Sequence, residues 1–517
     1  MSWSIRQSAR PIAVALAYAL LYLLLWAGLV LLIAGLGIRH YWGDISVSQM
    51  MLNLVSVETE GGGGSIVWIG IFGIGVAPIL ISAAIGFLHY RWRHPRDLPG
   101  RHMRRAASAA RTRALAVALV GVVVVSGTTA FANTVGVADY IAAANSDADL
   151  GDYYVEPVVT SDENARNLVV VYLESGEATL EDERLFEKDA FAPIKEVTQP
   201  SEGWVNTGSL RQYRGGGWTM SGIVASECGV PLKATGAAAS EPLTNDLGTD
   251  TPTYLGGLTC SGDVLKDHGY TSVFLTGANA AFAGKGTYLR THGYTDVKDL
   301  NDWRASDEPP EAFREDWGLS DGSLMNQAKL EVDRLHAESE RTGQRFNLSM
   351  LTLDTHEPSH IYDYCQVDTE IDVLSVNSCS VAQVAGLVNH MRDQGYLEDT
   401  AVVIVGDHLR RSPPTDPLHE QLDGNPTRSI FNRIWIPGGS GPVPLRQNAD
   451  QFSLYPTLLE AAGLTLQDGA AGLGVSVFTP EIPANSSQAL APKAYDILLD
   501  SLSLPFYARA WAAEGTS

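Results

Sequence analysis

NLVVVYLES (167–175) is an unbroken run of β-branched and apolar residues that ends in a carboxylate and a hydroxyl. It has no alternating polar positions, so a strand of this composition has both faces covered. TSVFLTG (271–277), FNLSMLTLDTH (346–356) and TAVVIVGDH (400–408) repeat the form, and helix-like stretches at 323–340 and 381–395 lie among them. Buried strands spaced by helices predict an α/β fold whose central sheet is mainly parallel and flanked by helices. Polar residues follow each run, where open α/β sheets place their active sites.

Glu174 ends the first run, and Asp407 and His408 end a later one. One such group at a strand end is usually only solvated. Three at equivalent ends of one sheet are brought together by the fold, and two carboxylates with an imidazole suit a divalent cation such as Mn²⁺, Mg²⁺ or Zn²⁺. GGGWTMSGIVASECGVPL (215–232) places Thr219 after a glycine-rich turn and at the start of a helix. An N-capping role would explain a threonine there. The free N–H groups and positive end of the helix also favour phosphate, and beside a metal the hydroxyl becomes a nucleophile toward phosphorus.

Upstream the character of the chain changes. Apolar runs at 11–38, 65–88 and 114–132 each reach the ~20 residues that cross a bilayer core of ~30 Å. Residues 1–133 carry 11 Arg, no Lys and 4 acidic residues, and eight of the arginines fall between the second and third runs. The positive-inside rule then puts the N-terminus and the 89–113 loop in the cytoplasm and everything after about residue 134 outside. Ala130-Phe131-Ala132 matches a signal-peptidase site, but alanine-rich helices give that pattern by chance, and retention is expected. The expected organisation is a membrane part at 1–133, a juxtamembrane linker at 134–160 and a catalytic domain at 161–517.

Residues 134–517 hold 25 basic and 55 acidic residues, which excludes nucleic acid as a partner. All four cysteines, Cys228, Cys260, Cys365 and Cys379, lie in this part. An even count on the outer side of a membrane suggests disulfides, and proximity in sequence pairs Cys228 with Cys260 and Cys365 with Cys379.

YLES, GGGWTMSGIVASECGVPL, FAGKGTYLRTHGY (282–294), LTLDTHEP (351–358), GDH (406–408) and DQFSLYPTLLEAAGL (450–464) occur in an order that resembles the bacterial phosphoglycerol transferase I family. The resemblance covers roughly 165–475. That family decorates osmoregulated periplasmic glucans and is similar to lipoteichoic acid synthase, within the alkaline phosphatase and sulfatase superfamily. It implies an alkaline-phosphatase-like domain behind transmembrane helices, in the inner membrane of a bacterium, with the catalytic part in the periplasm.

The same resemblance implies Glu174, Thr219, Asp407 and His408 as ligands of one divalent metal, Mn²⁺ first, with Thr219 as nucleophile. His356 matches the family histidine beside the transferred head group, and Lys285 falls where relatives carry a basic residue against the phosphate. Arg290 and His292 are further candidates to line the pocket. Phosphatidylglycerol is the implied donor and a periplasmic glucan or other glycan the implied acceptor. Phosphoethanolamine transfer, hydrolysis of the lipid head group and a non-catalytic envelope scaffold are the alternatives. Two features depart from the family. LRRSPPTD follows the GDH histidine where an uncharged stretch is usual, and three spans replace the five typical of lipoteichoic acid synthases.

Overall fold

The computed structural model describes residues 4–43, 68–93, 105–233, 253–438 and 445–512. The chain divides into two compact units, Met1–Val47 with Gly64–Asp139, and Ser48–Gly63 with Tyr140–Ser517.

The first unit is built of helices α1 (Ser4–Trp42), α2 (Ala77–Arg93, entered through a π-helical turn at Ile71–Val76) and α3 (Arg105–Thr134). Three stretches, Val14–Tyr41, Trp68–Arg91 and Ala114–Thr134, are long and apolar enough to cross a membrane. Each lies within three residues of the expected span. Large apolar side chains such as Leu16, Leu20, Phe87 and Leu119 stand exposed on them, as lipid-facing residues would. Most of the loop at 39–64, and Arg96, Arg101 and Arg104 of the second loop, lie outside the described residues.

In the second unit a six-stranded sheet comprises β1 (Asn167–Leu173), β2 (Thr271–Thr276), β3 (Tyr294–Lys298), β4 (Phe346–Leu351), β5 (Thr400–Gly406) and β6 (Asn432–Trp435). Their order across the sheet is β3-β2-β4-β1-β5-β6, parallel except for β6 at one edge. Along β1, Leu168, Val170 and Tyr172 enter one core, while Val169, Val171 and Leu173 enter the other. The period-two alternation thus serves two apolar faces, which is why the run has no polar breaks. On the first face lie α4 (Thr219–Cys228), α5 (Ser261–Asp267) and α6 (Lys285–Thr291). On the second lie α7 (Asp321–Thr342) and α8 (Asp372–Asp393), which contain nearly all of the two expected helical stretches. A further helix, α9 (Leu454–Ala461), packs on the first face.

The edge strands β3 and β6 have no continuous apolar run, because the outer strands of the sheet are only partly covered. Both disulfides form as paired from the sequence, Cys228–Cys260 at the end of α4 and Cys365–Cys379 between the loop after β4 and α8. The expected linker is folded over its second half. Leu150 is fully buried and its N–H bonds the Ser503 hydroxyl at 2.9 Å, Val155 bridges Gly472, and Val159–Ser161 pairs with Thr465–Leu466. Those contacts come from residues about 300 positions away, beyond the reach of local composition.

Candidate metal centre and nucleophile

The register of the sheet assembles the site. Tyr172 pairs with Leu351, and Leu173 pairs with Gly406, so Glu174 and Asp407 leave adjacent strands side by side. The Asp407 N–H donates to the Leu173 carbonyl at 3.1 Å. A Cβ on Gly406 would collide with the Gly176 backbone, so the absence of a side chain there lets the two strand ends close on each other. Ser175 turns the chain at φ 54°, and its hydroxyl donates to Glu174 Oε1 at 2.9 Å. From β4, Thr352 accepts the Glu174 N–H at 2.9 Å and Thr355 donates to the Glu174 carbonyl at 2.6 Å.

Helix α4 brings the hydroxyl. Its first residue is Thr219, whose Oγ donates to Glu174 Oε2 at 3.1 Å. Gly222, one turn further on, sits so close to the end of β5 that a Cβ would run into the Asp407 carbonyl. That carbonyl also accepts from Gln451 Nε2 at 2.9 Å, which explains the place of the DQFS block in the site.

Glu174, Asp407 and His408 are all buried, and one ligand atom from each falls within a mutual 4.8 Å. His408 Nδ1 bonds the Leu409 carbonyl at 2.8 Å, so that nitrogen carries the proton. Nε2, the nitrogen left without a proton in the neutral ring, faces Glu174 Oε1 and Asp407 Oδ2, each at 3.5 Å. That is the tautomer a metal-binding histidine needs. Asp407 Oδ1 accepts the N–H groups of Ser175 and His408, while buried Oδ2 has no hydrogen-bond partner among the described residues. Burial pushes the Asp407 carboxyl up to about 7, against the pull of His408 and with the repulsion of Glu174. Glu174 also feels burial, but His356, His408 and the hydroxyls of Ser175 and Thr219 hold it below the usual range. An orphaned buried oxygen, a bare imidazole nitrogen and a second carboxylate fit a divalent cation.

His356 donates from Nδ1 to the Glu357 carbonyl at 2.9 Å and packs on Trp317 with ring centroids 4.0 Å apart. Burial lowers its pKa, although Glu174 pulls it up. Lys285, the first residue of α6, is buried, and burial lowers its pKa against the attraction of Glu174, Asp407 and Asp299. Both residues therefore lie close enough to the cluster to feel its charge.

His292 and Arg290 do not join it. His292 is buried and both ring nitrogens are engaged, one with Asp263 at 2.7 Å and the other with the Tyr254 carbonyl at 2.9 Å. It braces the fold beside the Cys228–Cys260 bridge, whose sulfurs are not free to bind a metal. Arg290 is exposed at the far end of α6, because five residues of helix turn it away from Lys285. Trp317 was not anticipated. Nothing local marks a tryptophan in DWG as a neighbour of His356, since the contact is made across the fold.

Residues 167–464 match the sulfatase family, and the chain belongs to it. Phosphoglycerol transferase I of Salmonella choleraesuis (strain SC-B67) and of Salmonella arizonae are each 31% identical to it over 275 residues. The match covers 51% of this chain and 34% of each relative, so the chain spans about a third of their length. The solved lipoteichoic acid synthase LtaP from Listeria monocytogenes shares the fold, with a TM-score of 0.50 at 14% identity over 69% of this chain and 95% of that one.

Proposed function

We propose that this chain is a membrane-anchored, metal-dependent transferase that moves phosphoglycerol from phosphatidylglycerol to a glycan outside the cytoplasm, through a phosphothreonine-type intermediate. The observation that carries the reading is the Thr219 hydroxyl, held at the start of a helix and on Glu174 within the Glu174, Asp407 and His408 cluster. The 31%-identical relatives, phosphoglycerol transferases I by name, support phosphoglycerol as the group moved. The three apolar helices support a lipid donor, and the arginine asymmetry and the disulfides support an outward-facing catalytic unit. In this reading the membrane part is 1–133, the juxtamembrane linker 134–160 and the catalytic domain 161–517, with the second half of the linker packed on that domain.

A divalent cation held by Glu174, Thr219, Asp407 and His408, with Mn²⁺ first among the expected metals, would supply positive charge beside the threonine oxygen and the phosphate. Thr219 Oγ loses its proton and bonds to phosphorus, and the P–O bond to the diacylglycerol oxygen breaks. That oxygen takes up one proton, so the first half-reaction balances. In the second half, an acceptor hydroxyl loses a proton and bonds to the same phosphorus, while Thr219 leaves and recovers its proton. His356 is the proton carrier in this scheme. With Nδ1 on the Glu357 carbonyl and its pKa lowered, its neutral form presents an unprotonated Nε2. Lys285 sets a positive charge toward the phosphoryl group.

The test is a trapped adduct. Acid-quenched protein given phosphatidylglycerol without acceptor should carry one glycerophosphoryl group on the peptide containing Thr219, read by mass spectrometry. Full donor turnover by Thr219→Ala, with no adduct in the wild type, would rule this mechanism out.

A further inference from the structure

The two arginines of LRRSPPTD (409–416) have different surroundings. Arg410 is 2% exposed and bonds Asp416 Oδ2 through Nε at 3.0 Å and Nη2 at 2.6 Å, while its N–H meets Glu177 Oε2 at 3.1 Å. Arg428 clamps Glu177 with two bonds of 2.7 and 2.6 Å and also donates to the Arg410 carbonyl. Its Nη1 reaches the Ser412 hydroxyl at 3.2 Å, and His419 Nδ1 bonds the Ser412 carbonyl at 2.7 Å. Arg411 therefore lies between Arg410, pinned by a buried charge pair with Asp416, and Ser412, held by hydrogen bonds from Arg428 and His419.

Arg411 is not used in that clamp. It is half-buried, and its Nε donates to the Gly217 carbonyl at 3.1 Å, two residues before Thr219. Its Nη atoms make no hydrogen bond among the described residues. Its charge also helps lower the His356 pKa, so the two groups lie within electrostatic range of each other. A planar fork with one edge fixed and its terminal nitrogens open has the geometry that pairs with two oxygens of a phosphate.

We propose that Arg411 is a specificity-determining contact for the phosphoryl group: anchored on the Gly217 carbonyl, its terminal nitrogens hold the non-bridging oxygens of the phosphodiester presented to Thr219. With Lys285 it sets two cations around the phosphate, one buried and one at the mouth of the site. The proposal rests on the phosphoryl-transfer reading of Thr219. It goes beyond that reading by giving the LRR sequence after the metal-binding histidine a divided task, Arg410 as anchor and Arg411 as substrate contact.

The experiment uses the full chain in detergent micelles, loaded with Mn²⁺, as wild type, Arg411→Ala and Arg411→Lys. Calorimetric binding of glycerol phosphate and of inorganic phosphate is measured beside kcat and KM on phosphatidylglycerol and on bis(4-nitrophenyl) phosphate. Arg411→Ala should weaken glycerol phosphate binding and lower kcat/KM on both diesters by about 10- to 100-fold. Metal content and Tm should not change, and Arg411→Lys should recover part of the loss. Unchanged glycerol phosphate affinity in Arg411→Ala would overturn the proposal, even if kcat fell, because the arginine would then only brace the Gly217 turn. Wild type that binds glycerol phosphate and cleaves the chromogenic diester but leaves phosphatidylglycerol intact would instead refute the lipid donor. The Arg411 comparison would still be decided on the chromogenic diester.

Discussion

Replacing Glu227 by glutamine should stabilise the folded protein above neutral pH and leave its stability nearly unchanged below pH 5. Glu227 is the ninth residue of α4, the helix that begins with Thr219, and it is 1% exposed. Tyr172 of β1 and Tyr294 of β3 donate to its Oε1 at 3.1 and 3.0 Å, which ties the end of α4 to the sheet. Oε2 is buried and accepts no hydrogen bond among the described residues. Burial is the largest influence and raises the carboxyl from an ordinary 4.5 to about 7, against the hydroxyls of Tyr294, Tyr172 and Tyr288 and with a smaller push from Asp263. The folded state therefore holds a proton that the unfolded chain releases between those values. Stability from this group is fully present below about pH 4.5 and is lost as pH rises through about 7. At about 1.4 kcal/mol for each unit, the loss by pH 8 approaches about 3 kcal/mol. Glutamine reproduces the neutral acid, keeps a carbonyl oxygen for both tyrosines and cannot ionise. Thermal unfolding in detergent, followed by circular dichroism at pH 5 and pH 8, should give a Tm several degrees higher for Glu227→Gln at pH 8 only. Equal differences between the two proteins at both pH values would refute the reasoning.

Thr219→Ser keeps the attacking oxygen and should retain partial turnover, whereas Thr219→Ala should fall to background in a labelled phosphatidylglycerol assay. Asp407→Ala or Glu174→Ala should lower bound metal measured by elemental analysis while far-UV circular dichroism stays the same. Equal metal content in all three proteins would remove the centre from this site. Opening Cys365–Cys379, which closes a separation of 14 residues, by the paired serine substitutions should cost about 3 kcal/mol in unfolding measurements.

The local composition of the chain determined a good deal. The unbroken apolar runs required strands covered on both faces, and the glycine turn before Thr219 required a helix start, because each follows from chemistry within a few residues. Three apolar helices and the clustered arginines were equally legible. Even the disulfide partners followed from short separations. Motif order across 165–475 added the Glu174, Thr219, Asp407 and His408 set, and the register of β1 with β5 then set Glu174 beside Asp407.

Tertiary structure alone decided which similar residues do different work. His292 and His356 both stand in glycine- or proline-bounded loops, yet one is locked between Asp263 and the Tyr254 carbonyl while the other lies against Trp317. Arg410 and Arg411 are neighbours in the chain, but a buried Asp416 takes the first and leaves the fork of the second open. Edge strands β3 and β6 and the folded half of the linker were hidden for the same reason. Their stability comes from partners tens to hundreds of residues away, and a sequence displays the donors and acceptors without displaying which of them will meet.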